Sequence, residues 1–165
     1  MSLTPTTDPH TASTLARWSQ RLEPPQWLLV ALMSVVALHL LLPAVRLVPR
    51  DCFWGCLALA FVGFLMAQVA ALQMRRADTP FDCGATPSAL LTRGLFGRSR
   101  NPMYMGMLLL LTGEAAMLGT LGALLPLPLF YAGMRYGFVR PEERTLRAAF
   151  GSSYLEYQRR VRRWF

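Results

Sequence analysis

Arg100-Asn101-Pro102-Met103-Tyr104-Met105-Gly106 opens an almost uncharged apolar stretch that turns at Gly119-Thr120 and returns to Val139, where Arg140-Pro141-Glu142-Glu143 begins a polar tail. This pattern predicts a helical hairpin over residues 102–139, with arms Met103 to Leu118 and Leu121 to Val139 and Gly122 beside its apex. A hairpin of that kind brings the polar motif at its start and the paired carboxylates at its end to one membrane face. There a polar cofactor can meet a lipid-soluble substrate.

Two more apolar runs lie upstream. Trp27 to Val45 carries no formal charge and only His39 titrates; Phe53 to Met74 follows after the turn Arg46 to Asp51 and stops at Arg75-Arg76. Each is long enough for a hydrocarbon core of ~30 Å. Between them and the hairpin, residues 77–101 read as a polar loop with one short helix near Ser88 to Thr92. Ahead of them, residues 1–11 read as disordered. Ala12 to Leu22 reads as an interfacial helix that Pro24-Pro25 ends. After the hairpin, Pro141 suits a helix's first turn and Gly151 a helix end. A last helix from Ser153 would present Tyr154, Tyr157, Val161 and Trp164 on one face. The expected fold is therefore an all-α integral membrane protein of four transmembrane helices, with a C-terminal helical hairpin and a short cytoplasmic helical tail. Its parts are an N-terminal tail (1–26), two transmembrane helices (27–76) and the hairpin region with its loop and tail (77–165).

Composition agrees with this. The 165 residues make one domain, 53% hydrophobic and only 16% charged, more apolar than a soluble chain. The net charge of +8 comes from seventeen arginines without a lysine. They gather at the ends of apolar segments, where anionic headgroups would meet them. No groove-reading motif accompanies them, which excludes nucleic acid as the partner. Five arginines fall between Arg75 and Arg100 and seven from Arg140 onward, against two in the Arg46 to Asp51 turn. The positive-inside rule then puts both termini and the long loop in the cytoplasm, as for a bacterial inner-membrane protein. Met1 to Pro25 has prolines and acids before any apolar core, unlike a signal peptide. Cys52, Cys56 and Cys83 have neither zinc nor redox spacing and read as small buried apolar residues, so no metal is expected.

Few residues are left for chemistry. Glu142 and Glu143 have a structural reading, as carboxylates in a helix's first turn, with Glu143 four before Arg147 as a surface pair. Their functional reading rests on position, at the face where Asn101-Pro102 starts the hairpin. Arg135, inside the returning arm and level with that motif, is a functional candidate unless it snorkels to the headgroups. Glu114, near the apex, reads as a polar packing residue toward the second helix, with Gln68 as partner. His39 reads as a hydrogen-bonded core histidine.

Taken together, Leu90-Leu91-Thr92-Arg93-Gly94-Leu95-Phe96, the Arg100 to Gly106 motif, the hairpin, Glu142-Glu143-Arg144-Thr145-Leu146 and Phe150-Gly151 with Tyr154 and Tyr157 resemble the isoprenylcysteine carboxyl methyltransferase family. Membrane phospholipid methyltransferases share a related pattern. The resemblance covers residues 79–164 and implies S-adenosylmethionine as cofactor. Carried over by motif, it implies cofactor contacts at Ser88, Leu90, Leu91, Phe96, Asn101, Pro102, Met103, Tyr104, Glu142 and Glu143. It also makes Arg100 and Tyr104 catalytic candidates beside Arg135. Two departures stand out. Phe96 replaces the usual tyrosine, and Phe138 replaces an arginine that contacts substrate in the eukaryotic carboxyl methyltransferases, leaving Arg135 or Arg140 as substitutes for binding substrate. Asn101 in place of histidine is a familiar variant.

The expected reaction is methyl transfer to a lipophilic or lipidated acceptor drawn from among the membrane lipids. A carboxylate acceptor needs no base, and no base stands out in the sequence, which favours carboxyl O-methylation. The alternatives are N-methylation of a phospholipid or other lipid amine, and a small membrane protein without enzymatic activity.

Overall fold

The computed structural model describes residues 23–42, 45–78 and 89–164. The expected N-terminal tail, its interfacial helix, Cys83 and Ser88 lie outside them. Helix α1 spans Pro24–Leu41. Pro24-Pro25 is its start: proline in a first turn forgoes no helical hydrogen bond, and the Glu23 N–H donates to Gln26 Oε1 at 3.0 Å to close that turn. A 3₁₀ turn, Arg50–Cys52, leads into α2, Phe53–Arg76. Cys52 is exposed and Cys56 only half-buried, contrary to their reading as core residues.

Helix α2 buries a stripe of small residues, Ala60, Gly63, Ala67 and Ala70, and shows Trp54, Phe61, Val62 and Leu65 to the outside. Helix α3, Pro102–Leu118, lies directly on that stripe. A Cβ on Gly106 would stand 2.5 Å from the Ala67 backbone nitrogen, one on Gly113 2.5 Å from that of Ala60, and one on Gly63 against Leu110. Apolar surroundings give helices no hydrophobic reason to pair, so close approach of small residues supplies the attraction instead.

Gly119 ends α3 in the left-handed region at φ +70°. The α1–α2 connector is stitched to this apex. The Leu47 N–H donates to Gly119 O at 2.7 Å, Arg46 Nη2 donates to Leu118 O at 2.9 Å, and His39 Nδ1 lies 2.9 Å from Thr120 Oγ1. The connector and the apex thus share one end of the helical body, and Asn101 stands at the other.

The returning arm departs from the expected single helix. It consists of α4, Leu121–Leu124, then α5, Pro126–Gly133, then a wide π-helical turn, Met134–Val139. Pro126 and Pro128 lack the donors that would carry one helix through. Val139 is no end either, because the chain runs straight into α6, Arg140–Arg160. The wide turn falls where the Pro141 ring would otherwise meet the Gly137 carbonyl, four residues back. Gly151, at φ 49° and ψ −119°, breaks α6, and Tyr154, Tyr157 and Val161 beyond it pack with Leu90, Leu146 and Phe150.

Among the described residues there is no strand, and two helical segments, Pro24–Leu41 and Arg50–Arg76, have the length and apolarity to cross a membrane. Helix α3 is apolar but shorter, and no piece of the returning arm reaches crossing length. Exposed Leu29, Met33, Leu40 and Leu41 on α1 leave an outer surface that water would not favour.

Candidate active site

The motif at the start of α3 is almost wholly enclosed. Asn101, Pro102, Met103 and Tyr104 are all buried, because the segment after Val161 doubles back over them. The Arg100 N–H donates to Arg162 O at 2.9 Å, Ser99 Oγ donates to Arg163 O at 3.2 Å, and Asn101 Nδ2 donates to the same carbonyl at 3.1 Å. The Asn101 amide therefore holds the tail in place. Phe96, buried on the 3₁₀ turn Gly94–Gly97, offers its carbonyl to the Tyr157 hydroxyl at 2.7 Å. A tyrosine hydroxyl thus reaches this point from the tail, although position 96 itself lacks one.

The adjacent carboxylates take opposite roles. Glu143 is locked: Arg163 approaches it with Nε at 3.0 Å and Nη2 at 2.6 Å, and Arg100 Nη1 stands 3.3 Å away. The expected Arg147 partner is displaced because the break at Gly151 returns Arg163 to the start of α6, a long-range closure no local spacing announces. In turn Glu143 holds the Arg163 guanidinium above its ordinary pKa. Glu142 accepts a hydrogen bond from the Tyr104 hydroxyl, and its Oε2 is sealed from solvent with no partner. Burial pushes its pKa up to about 7, opposed by the Tyr104 hydrogen bond and reinforced by the charge of Glu143. A sealed carboxylate with one free oxygen is poised for a cation.

Other unsatisfied groups lie at the same end. Arg100 Nε, Arg135 Nε, Gln73 Oε1 and Trp27 Nε1 are buried without hydrogen bonds, whereas Arg100 Nη1 is ion-paired with Glu143 and the Tyr154 hydroxyl interacts with Gln158 and Arg100. Buried polar atoms are rarely left so. Burial also raises the pKa of Tyr154 and Tyr157, whose rings pack 6.1 Å apart.

Arg135 Nη1 donates to the Tyr131 hydroxyl at 3.0 Å, and Tyr131 packs 5.8 Å from Trp164. Arg140 lies 4.4 Å over the Tyr136 ring. Phe138 is buried between Trp27 and Tyr104, 6.3 Å from each ring. Those aromatics link Glu142 to a cleft of about 260 Å³ whose walls include Trp27, Ala31, Leu129 and Phe130. Leu90 and Leu91 line a separate cleft with Gln73 and Arg93; residues 89–92 are not helical. Glu114 Oε2 is buried without a partner and Gln68 is exposed, so their expected pairing is absent. Arg163, Tyr157 and Ser99 are the participants that sequence reasoning missed; the helical spacing of Tyr154 and Tyr157 was the one signal pointing to them.

A helical body with an apolar exterior and two helices long and apolar enough to cross a bilayer has the character of a membrane-associated protein. The sequence profile of the phospholipid methyltransferase family matches residues 52–153, well over half of the chain, and the chain belongs to that family. No curated protein and no solved structure gives a significant match.

Proposed function

We propose that the protein is an integral membrane methyltransferase that uses S-adenosylmethionine to methylate a lipophilic acceptor at the cytoplasmic face, with four membrane passes and both termini inside. The observation that carries this reading is the sealed, half-satisfied carboxylate of Glu142 on Tyr104, together with the unpartnered Nε of Arg100. These residues fit the cofactor: Glu142 would hold its cationic end, Arg100 its carboxylate, and Phe96, Pro102 and Met103 would wall it. When bound, S-adenosylmethionine supplies a methyl group activated by a sulfonium. Tyr104 orients Glu142, Tyr157 fixes the Phe96 turn, and the tail from Val161 to Trp164 excludes water, the main contributions this reaction asks of a protein.

A carboxyl oxygen is the first choice of nucleophile. It arrives ionised, and Arg135 has a free Nε to orient it. Lipid-amine N-methylation is the second reading, favoured by the raised pKa of Glu142, which suits it to take a proton. Labelled methyl donor offered to prenylcysteine, fatty-acid and aminophospholipid acceptors separates the two. For the carboxyl reading, Arg135→Lys keeps the charge but loses the planar fork, so turnover falls about tenfold at unchanged cofactor affinity. Unchanged turnover leaves Arg135 as a headgroup anchor. Absence of labelling together with absence of cofactor binding by calorimetry overturns the methyltransferase reading.

A further inference from the structure

The tail carries a second concave surface, which meets this site at Glu143 and Arg163. Arg140, Glu143, Arg144, Arg147, Gln158 and Arg163 line a cleft of about 380 Å³. Arg140, Arg144 and Arg147 recur along one helical stripe of α6, and Gln158 and Arg163 face them from beyond the break at Gly151. Glu143 is the one acid among the lining residues, and Arg163 and Arg100 already hold it. Arg140, Arg144 and Arg147 meet no carboxylate among the described residues. Like charges so gathered repel one another unless an anion sits among them, and the guanidinium fork matches phosphate oxygens.

The position of the cleft selects the source of that anion. Arg140 stacks on Tyr136, which is 54% exposed on the arm that also shows Leu129 at 75% to the outside. Apolar surface gives way to arginine within about three turns of helix, the pattern expected at headgroup depth. We propose that this cleft binds the phosphate group of a phospholipid headgroup at the membrane rim. The inference is independent of the methyl-transfer reading.

Detergent-solubilised full chain, without methyl donor, is titrated calorimetrically with dihexanoyl phosphatidylglycerol below its micellar concentration, and in parallel with inorganic phosphate. Saturable lipid binding is expected, at least tenfold tighter than inorganic phosphate. The double variant Arg144→Gln/Arg147→Gln should weaken it at least tenfold. Arg159→Gln/Arg162→Gln, with the same charge loss outside the cleft, should change it less than twofold. All four side chains are exposed, so both variants should keep the parental melting profile. Equal affinity for the lipid and inorganic phosphate overturns the headgroup as source. Equal weakening in the two double variants, or no saturable binding, overturns the cleft.

Discussion

The two ends of the helical body treat their polar groups differently. At the apex, His39 meets Thr120, Arg46 meets the Leu118 carbonyl, and the connector's amides meet Gly119. At the motif end, Glu142 Oε2, Arg100 Nε, Arg135 Nε, Gln73 Oε1 and Trp27 Nε1 are buried without hydrogen bonds; among the described residues Glu114 Oε2 is a like case near the apex. Folding alone explains the first end, because every stitch there shortens a loop or caps a helix. It does not explain the second, where each unsatisfied group costs about 1–3 kcal/mol. A bound ligand would offset that cost, which is why the contrast supports the proposed site.

The strongest test of the contrast is Glu142→Gln. Removing the charge should weaken S-adenosylmethionine binding at least a hundredfold by calorimetry. The ligand-free variant should also be more stable above pH 7, by on the order of 2–3 kcal/mol, since the raised pKa is a penalty on the ionised native state. A variant that binds normally would return Glu142 to an ordinary helix-terminus role.

Glu143→Gln should show the reverse pattern. It strands Arg163 and Arg100, and loss of one partner from a buried pair costs about 3 kcal/mol. Denaturation in detergent should shift accordingly, with proteolysis of the tail after Val161. If both glutamates gave the same phenotype, their division of labour would fail.

Acidity sharpens the comparison further. Glu142 titrates near 7, and a cationic ligand needs its ionised form. Affinity should therefore be flat above about pH 8 and drop up to tenfold per unit below 7, with proton release visible in buffer-dependent binding enthalpies. By the same sign, ligand-free stability should decline as pH rises from about 4.5 to 7, and Glu142→Gln should remove that decline. Smallest of all is the effect at the apex. His39→Ala removes one half-buried hydrogen bond, worth about 1 kcal/mol, and should leave cofactor affinity unchanged.

How far the sequence alone revealed this molecule follows from the range of each interaction. The first hairpin arm, the long apolar helix α2 and the His39 contact were legible because apolar runs and a lone histidine carry their meaning locally. The motif at Asn101 and the carboxylates at Glu142 and Glu143 were legible as a pair because a hairpin forces them together. That Glu143 is the paired one was legible from an arginine four residues on, but its true partner was not, since a backbone break at Gly151 delivers Arg163 twenty residues along the chain to Glu143. The start of α1 at Pro24, three residues ahead of the expected Trp27, was missed because a proline pair reads as a break although it also suits a helix's first turn. The broken returning arm was missed because Pro126 and Pro128 sit within an otherwise uninterrupted apolar run.

The closure of the tail over Ser99, Arg100 and Asn101 also sets an order of assembly. During synthesis α1, α2 and the hairpin emerge first, while Glu143 and Arg100 still lack Arg163. Only when residues 157–164 leave the ribosome do Tyr157 and Arg163 arrive to close the Phe96 turn and fasten the carboxylate. On the proposed reading, a chain cut short before Tyr157 would keep its apolar helices yet stay blind to S-adenosylmethionine. Half-made copies would then, on that reading, draw nothing from the methyl-donor pool.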